Sequence, residues 1–145
     1  MKPRFCLLVL AISVFASAAA NGRKGPTTVW DGVYTDAQAE RGQRAFVRSC
    51  VGCHREDLSG GDDGEPPLRG PTFTARWDGS TVAALFDFIA VNMPKPAPGS
   101  LSLETCIDLV SFILKSNGMP AGRAELPTDI RTLDQIGVTA RPGTR

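Results

Sequence analysis

The chain has 145 residues, a formal net charge of +1 and 42% hydrophobic residues. This near-neutral balance argues against nucleic acid as a partner. With 15 glycines, 11 prolines and only 7% aromatic residues, the composition indicates one small, loop-rich domain that buries a modest fraction of its surface.

The opening segment, residues 1–20, has the pattern of an export signal. Lys2 and Arg4 precede an apolar run over residues 5–15, and small residues that suit a signal peptidase follow it. Because the run is shorter than the roughly 20 residues that span a bilayer, we expect cleavage rather than a retained N-terminal anchor. Cleavage removes two cations and no acid, so the formal charge falls from +1 to −1. We therefore expect an exported protein with no membrane span after cleavage.

Residues 21–34 are predicted to form a leader, followed by a helix from Asp36 to about Arg48. Thr35 and Gln38 form a capping box at its start, in which the threonine hydroxyl accepts from the first free amides. The helix has one small and apolar face, made of Ala39, Gly42, Ala45 and Phe46. Since glycine lowers helix propensity, we expect another backbone or ring to pack closely at Gly42.

Two further helices are predicted downstream, and they complete a domain over residues 35–120. Turn-forming residues fill 58–70, and the next helix begins at Ser80 or Thr81 and ends before Pro94. The last helix runs from Ser102 to the Asn117-Gly118 pair. We find no convincing strand pair, and the tail over 121–145 is predicted to be irregular.

Three cysteines remain after signal cleavage: Cys50, Cys53 and Cys106. An odd number fits poorly with a disulfide framework in an exported protein. Two of them stand in Cys50-Val51-Gly52-Cys53-His54, the Cys-x-x-Cys-His pattern that attaches c-type haem. The spacing lets two thiols add to the two vinyl groups of the porphyrin while the adjoining histidine reaches the iron.

Zinc binding, thiol-disulfide exchange and a structural disulfide are the alternatives to haem attachment at this motif. A zinc site needs four ligands, and this chain has one histidine, while Cys106 lies on the apolar face of a distant helix. A thioredoxin-like redox pair would follow a strand in a βαβ unit, but here the motif follows a helix. A structural disulfide between Cys50 and Cys53 leaves His54 unexplained. Haem attachment is the interpretation that the residues favour.

The sixth iron ligand has two methionine candidates in the mature chain. Met93 follows an apolar helix and opens a segment stiffened by three prolines, which lowers the entropy of the free loop. Met119 also precedes a proline, but it lies just past the last helix, where it can simply pack in the core. The sequence favours Met93 and leaves Met119, or an open site, as alternatives.

At this point the chain resembles the class I, single-haem c-type cytochromes. The helix ending in CVGCH, the Pro66-Pro67-Leu68-Arg69-Gly70 turn, the Met93-Pro94 loop and the final amphipathic helix come in that family's order. The resemblance covers about residues 29–127 and implies an all-α cytochrome c fold, with about three main helices around one haem. The phrases VWDGVYTDAQAERG and NMPKPAPGSLS resemble small bacterial cytochromes associated with quinoprotein alcohol dehydrogenases.

The resemblance also implies the ligand set. Cys50 and Cys53 would hold haem c through thioethers, with His54 as the proximal and Met93 as the distal ligand of the iron. This is the saturated ligation of a carrier of single electrons rather than of an enzyme.

Other positions would support the haem. The carbonyl of Pro66 would accept a hydrogen bond from Nδ1 of His54, which orients the ring and raises its basicity. Leu68 would pack on the haem, and Trp77 or Arg76 would hydrogen-bond a propionate.

The function that the resemblance implies is electron transfer in the periplasm. The partners would be redox proteins, with a dehydrogenase as donor and an oxidase or another cytochrome as acceptor. The alternatives are a haem sensor or peroxidase-like protein with a labile sixth ligand, and a thiol-disulfide protein that uses the cysteine pair.

Overall fold

The computed structural model describes residues 27–143, so the predicted export signal and most of the leader lie outside the described residues. Helices dominate the regular structure of residues 27–143, as predicted, and none of them is long and apolar enough to cross a membrane. The elements in chain order are β1 (Thr27–Thr28), α1 (Asp36–Ser49), α2 (Val51–His54), α3 (Gly70–Trp77), β2 (Ser80–Thr81), α4 (Val82–Asn92), α5 (Leu103–Ser116), α6 (Ile130–Leu133) and β3 (Ile136–Val138).

The three helices predicted from sequence are α1, α4 and α5, and each begins at a hydroxyl cap. Side chains of Thr35, Thr81 and Ser102 accept from backbone amides in the first turn of their helices, which satisfies donors that a helix start leaves free. The helix α3 was not predicted, although Pro71 in its first turn is a recognised start signal. These caps fix where each helix enters the domain.

Helices α1 and α5 cross at Gly42. A Cβ atom at this position would lie 1.9 Å from the carbonyl oxygen of Asp108 and 2.9 Å from Cβ of Phe112. Beside the crossing, the rings of Phe46 and Phe112 pack with centroids 5.2 Å apart, and Arg41 donates to Asp108 at 2.9 and 3.0 Å. The glycine is thus required because a backbone passes where a side chain would begin.

The C-terminal segment corrects two expectations. The short strands β1, β3 and β2 form one sheet, in which β3 pairs parallel to β1 and antiparallel to β2. The expectation of no strand pair is therefore wrong, and the predicted irregular tail is wrong where α6 and β3 occur. Strands of two or three residues are too short to show an alternating pattern, and their partners lie far away in sequence.

The C-terminal segment is also tied to the first helix. Gln38 does not reach back to complete the capping box; its buried amide donates to the carbonyl of Leu126 and accepts from its amide, both at 2.9 Å. Nearby, the hydroxyl of Tyr34 donates to the carbonyl of Met119 at 2.6 Å. Buried backbone groups in this segment thereby gain partners from α1 and the residues before it.

Replacing Gly42 by alanine tests the crossing. The added methyl group must push α1 and α5 apart, so we expect a loss of about 3 kcal/mol of unfolding free energy from overpacking, measured by urea denaturation followed by circular dichroism. The neighbouring exposed Gln43→Ala should stay within about 0.5 kcal/mol of the wild type. Helix propensity alone would stabilise Gly42→Ala by about 1 kcal/mol, and such a gain would contradict the close approach.

Candidate haem site

The Cys-x-x-Cys-His motif begins where α1 ends. Cys50 caps that helix, with its amide donating to the carbonyl of Phe46 at 2.8 Å. The single turn of α2 then closes as the amides of Cys53 and His54 donate to the carbonyl of Cys50 at 3.1 and 2.9 Å. Arg55, at φ 59°, ends the turn. This tight turn brings both thiols and the imidazole to one cavity.

The cavity has a volume of about 450 Å³, which lies within the range of ligand pockets in proteins. All seven side chains predicted to bind or surround the cofactor line it: Cys50, Cys53, His54, Pro66, Leu68, Trp77 and Met93. Apolar side chains from α1, α4 and α5 complete the wall: Phe46, Leu85, Phe88, Ile89, Leu109 and Ile113. The three main helices therefore enclose an apolar space that the protein's own side chains do not fill.

His54 is oriented by the turn that follows it. Its side chain is 7% exposed, and Nδ1 lies 3.1 Å from the carbonyl oxygen of Pro66. Because a carbonyl only accepts, Nδ1 must carry the proton in this contact, which leaves the lone pair on Nε2 free to bind a metal. The arrangement is the usual outer hydrogen bond of a metal-binding histidine.

The two candidate methionines lie in different places. Met93 is half-buried at the C-terminal cap of α4, where its amide donates to the carbonyl of Ile89 at 3.0 Å, and it lines the cavity together with Pro94 and Pro96. Met119 is 4% exposed and lines a second depression together with Trp30 rather than the cavity of His54. The geometry brings Met93, rather than Met119, to the cavity that His54 lines.

Charged side chains at the cavity include residues that the sequence alone does not single out. Arg48, Arg76 and Lys95 line it with one acid, Glu65. The guanidinium of Arg76 lies 5.7 Å from the ring centroid of Trp77 and 5.4 Å from that of Phe88. Three cations at an otherwise apolar cavity suit a ligand that carries carboxylates, as the haem propionates do. The position of Arg48, two residues before the motif, was the one sequence signal that could have predicted a cation at the cavity.

The thiol of Cys50 is held neutral. Burial raises its pKa to about 11, and the neighbouring Cys106 and Cys53 add to the shift. Reactive cysteines of disulfide exchange proteins have lowered pKa values instead, because the thiolate is the nucleophile. The surroundings of Cys50 thus favour its neutral form and suit a sulfur that is uncharged, as in a thioether.

Comparison with known proteins identifies relatives. A family model described as "Cytochrome C oxidase, cbb3-type, subunit III" matches residues 37–130. Cytochrome c-551 of Bacillus subtilis (strain 168) is 28% identical over 100 residues, which are 66% of this chain and 83% of that protein. The sulfane dehydrogenase SoxCD of Paracoccus pantotrophus aligns with a TM-score of 0.49 and 20% identity over 80% of this chain and 66% of that chain.

The cofactor of such cytochrome domains is haem c, one iron porphyrin covalently attached to the protein. The residues present fit it, because two thiols at the attachment spacing, an imidazole with a free Nε2 and a thioether all line one apolar cavity. The cavity would be a defect in the fold without such a group.

Removing both attachment sulfurs tests that dependence. Without the cofactor, the apolar side chains around a space of this size lack packing partners and meet water, and the whole stability of a domain is only about 5–15 kcal/mol. We therefore expect Cys50→Ser/Cys53→Ser to lose near-ultraviolet circular dichroism and to bind the dye ANS, as loosely packed states do. A haem-free variant that unfolds cooperatively with native near-ultraviolet signals would contradict this expectation.

Proposed function

The chain belongs to the c-type cytochrome family described by its matching model, and from this premise we propose that it is a periplasmic carrier of single electrons. In this proposal Cys50 and Cys53 would hold the haem, and His54 and Met93 would bind its iron. The observation that carries the proposal is the cavity shared by the only histidine of the chain and one of its methionines. The two cysteines and three cationic side chains line the same cavity.

When bound, the haem supplies a one-electron couple between ferric and ferrous iron. The protein's part is to orient the ligands and exclude water. The carbonyl of Pro66 holds the proton on Nδ1 of His54, which fixes the ring and directs Nε2 to the metal. On the other side, the turn in which the amide of Ala97 donates to Pro94 at 2.8 Å stiffens the segment after Met93.

Saturated ligation supports a carrier rather than an enzyme. With His54 and Met93 both bound, the iron would have no position open for a substrate, and the apolar wall would limit the change in solvation between its two oxidation states. Thioether ligation also raises the reduction potential by favouring the ferrous state. In this proposal, ligation by His54 and Met93 lets the haem gain and lose one electron with little change in the positions of its ligands.

Location and partners form the finer part of the proposal. The export pattern of residues 1–20 supports transfer to the periplasm, and an N-terminal anchor is the alternative. The exchange partners would be redox proteins, with a dehydrogenase as donor, which the resemblance implies to be a quinoprotein. An oxidase or another cytochrome would accept the electron. Gly52, between the two cysteines, is exposed and also lines the cavity, so the attachment motif lies at the surface, where a partner protein would approach.

Paired methionine variants test the distal ligand. We expect Met93→Ala to lose the methionine-to-ferric-iron charge-transfer band and to lower the reduction potential, since the thioether favours ferrous iron. The matched Met119→Ala should keep the band and instead lose about 2–5 kcal/mol of stability, because it empties a buried position. Visible spectra, redox titration and denaturation of the haem-loaded proteins measure these effects. Loss of the band in Met119→Ala alone would overturn the assignment of Met93.

A further inference from the structure

The side chain of Asn117 joins the end of α5 to the turn that holds His54. Its Nδ2 atom donates to the carbonyl of Leu68 at 2.9 Å and to that of Ile113 at 2.8 Å. Its Oδ1 atom accepts from the amide of Gly70 at 2.9 Å. Three of the four hydrogen bonds available to an amide are therefore used, and two of them go to the 66–70 turn.

Closing the helix does not require this side chain. The amide of Asn117 donates to the carbonyl of Ile113 at 3.1 Å, that of Gly118 to Lys115 at 2.9 Å and that of Met119 to Leu114 at 3.2 Å. Gly118, at φ 77°, supplies the left-handed residue that commonly ends a helix. Backbone amides thus reach three of the last carbonyls of α5, so the helix ends without the side chain of Asn117, whose amide group acts on the turn.

The turn transmits that contact to the proximal histidine. Leu68 lies two residues after Pro66, and its amide donates to the carbonyl of Leu58 at 2.9 Å, so both of its backbone groups are held. The ring of Pro67 fixes φ of that residue, which removes one of the two backbone rotations between the Pro66 carbonyl and the amide of Leu68. That carbonyl lies 3.1 Å from Nδ1 of His54.

We propose that Asn117 is a positioning residue for the proximal ligand: by holding Leu68 and Gly70 it keeps the Pro66 carbonyl on Nδ1 of His54, and so lowers the reduction potential. The inference rests on the proposed function, with His54 as iron ligand. A hydrogen bond from Nδ1 makes the imidazole a stronger donor, and a stronger donor favours ferric over ferrous iron. A looser turn weakens the hydrogen bond from Nδ1 and therefore raises the reduction potential.

The test uses the haem-loaded Asn117→Ala protein. At a fixed ambient potential near the midpoint, we expect the ratio of ferric to ferrous protein to fall about threefold, which is about 28 mV upward for a one-electron couple. In proton NMR spectra of the ferrous protein, the Nδ1 proton of His54 should exchange faster with solvent. An unchanged or lower potential, with unchanged exchange, overturns the proposal.

Two variants separate positioning from general loss of stability. Ser116→Ala removes a hydroxyl that donates to the carbonyl of Phe112 at 2.8 Å in the same helical turn, without touching the 66–70 turn. Gln38→Ala removes a comparable amide clamp, on Leu126, and should lower the denaturation midpoint. Both should leave the potential and the Nδ1 exchange unchanged; a shift in Gln38→Ala equal to that in Asn117→Ala would overturn the proposal.

Asn117→Ser is a second substitution at the same position, for use if the Asn117→Ala protein does not retain its fold. Its shorter side chain cannot span to both Leu68 and Gly70, so the same upward shift is expected, and an unmoved potential counts against the proposal. Wild-type protein that carries no haem would contradict the proposed function before any variant is compared. Wild-type protein that carries haem, with an unmoved potential in the variants, contradicts only the role of Asn117.

Discussion

The backbones of α1 and α5 touch at Gly42, and the position of the site depends on that contact. The carbonyl of Asp108 occupies the space of a Cβ atom, so the two helices are locked at one point along each of them. From there α1 runs eight residues to Cys50, and α5 presents Leu109 and Ile113 to the cavity. A shift at the crossing would therefore move the thiols relative to the wall that faces them.

The cavity and the fold depend on each other. A domain of this size has a small core, and here the three main helices pack around a space of about 450 Å³ rather than around one another alone. Filling it with one large apolar group supplies contacts that the side chains lack. The proposed ligands of its iron, His54 and Met93, come from different elements, α2 and the end of α4, and both line the cavity.

Much of this could be predicted from sequence, because the decisive signals are local. Hydroxyl caps and apolar stripes located α1, α4 and α5, and the spacing of Cys50, Cys53 and His54 identified the attachment motif. Choosing Met93 over Met119 depended on the prolines that follow Met93, and the structure places Met93 at the cavity.

The features that were missed depend on contacts distant in sequence. The pairing of β1 with β3 joins the two ends of the described chain, and no pattern in two or three residues reveals it. The sequence predicts Gln38 as half of a capping box, whereas its amide binds Leu126. The hydrogen bonds of Asn117 to Leu68 and Gly70 also join residues distant in sequence. From the sequence alone, an asparagine before a glycine indicates only the end of a helix.

The central proposal is that His54 and Met93 both bind the iron, which would make the chain a carrier of electrons rather than a sensor or a peroxidase-like protein. The most direct measurement is the visible spectrum of the reduced protein at neutral pH before and after carbon monoxide is added. Ligation by His54 and Met93 predicts a spectrum that carbon monoxide does not change. Ready binding of carbon monoxide would show an open or labile sixth position and would contradict this claim.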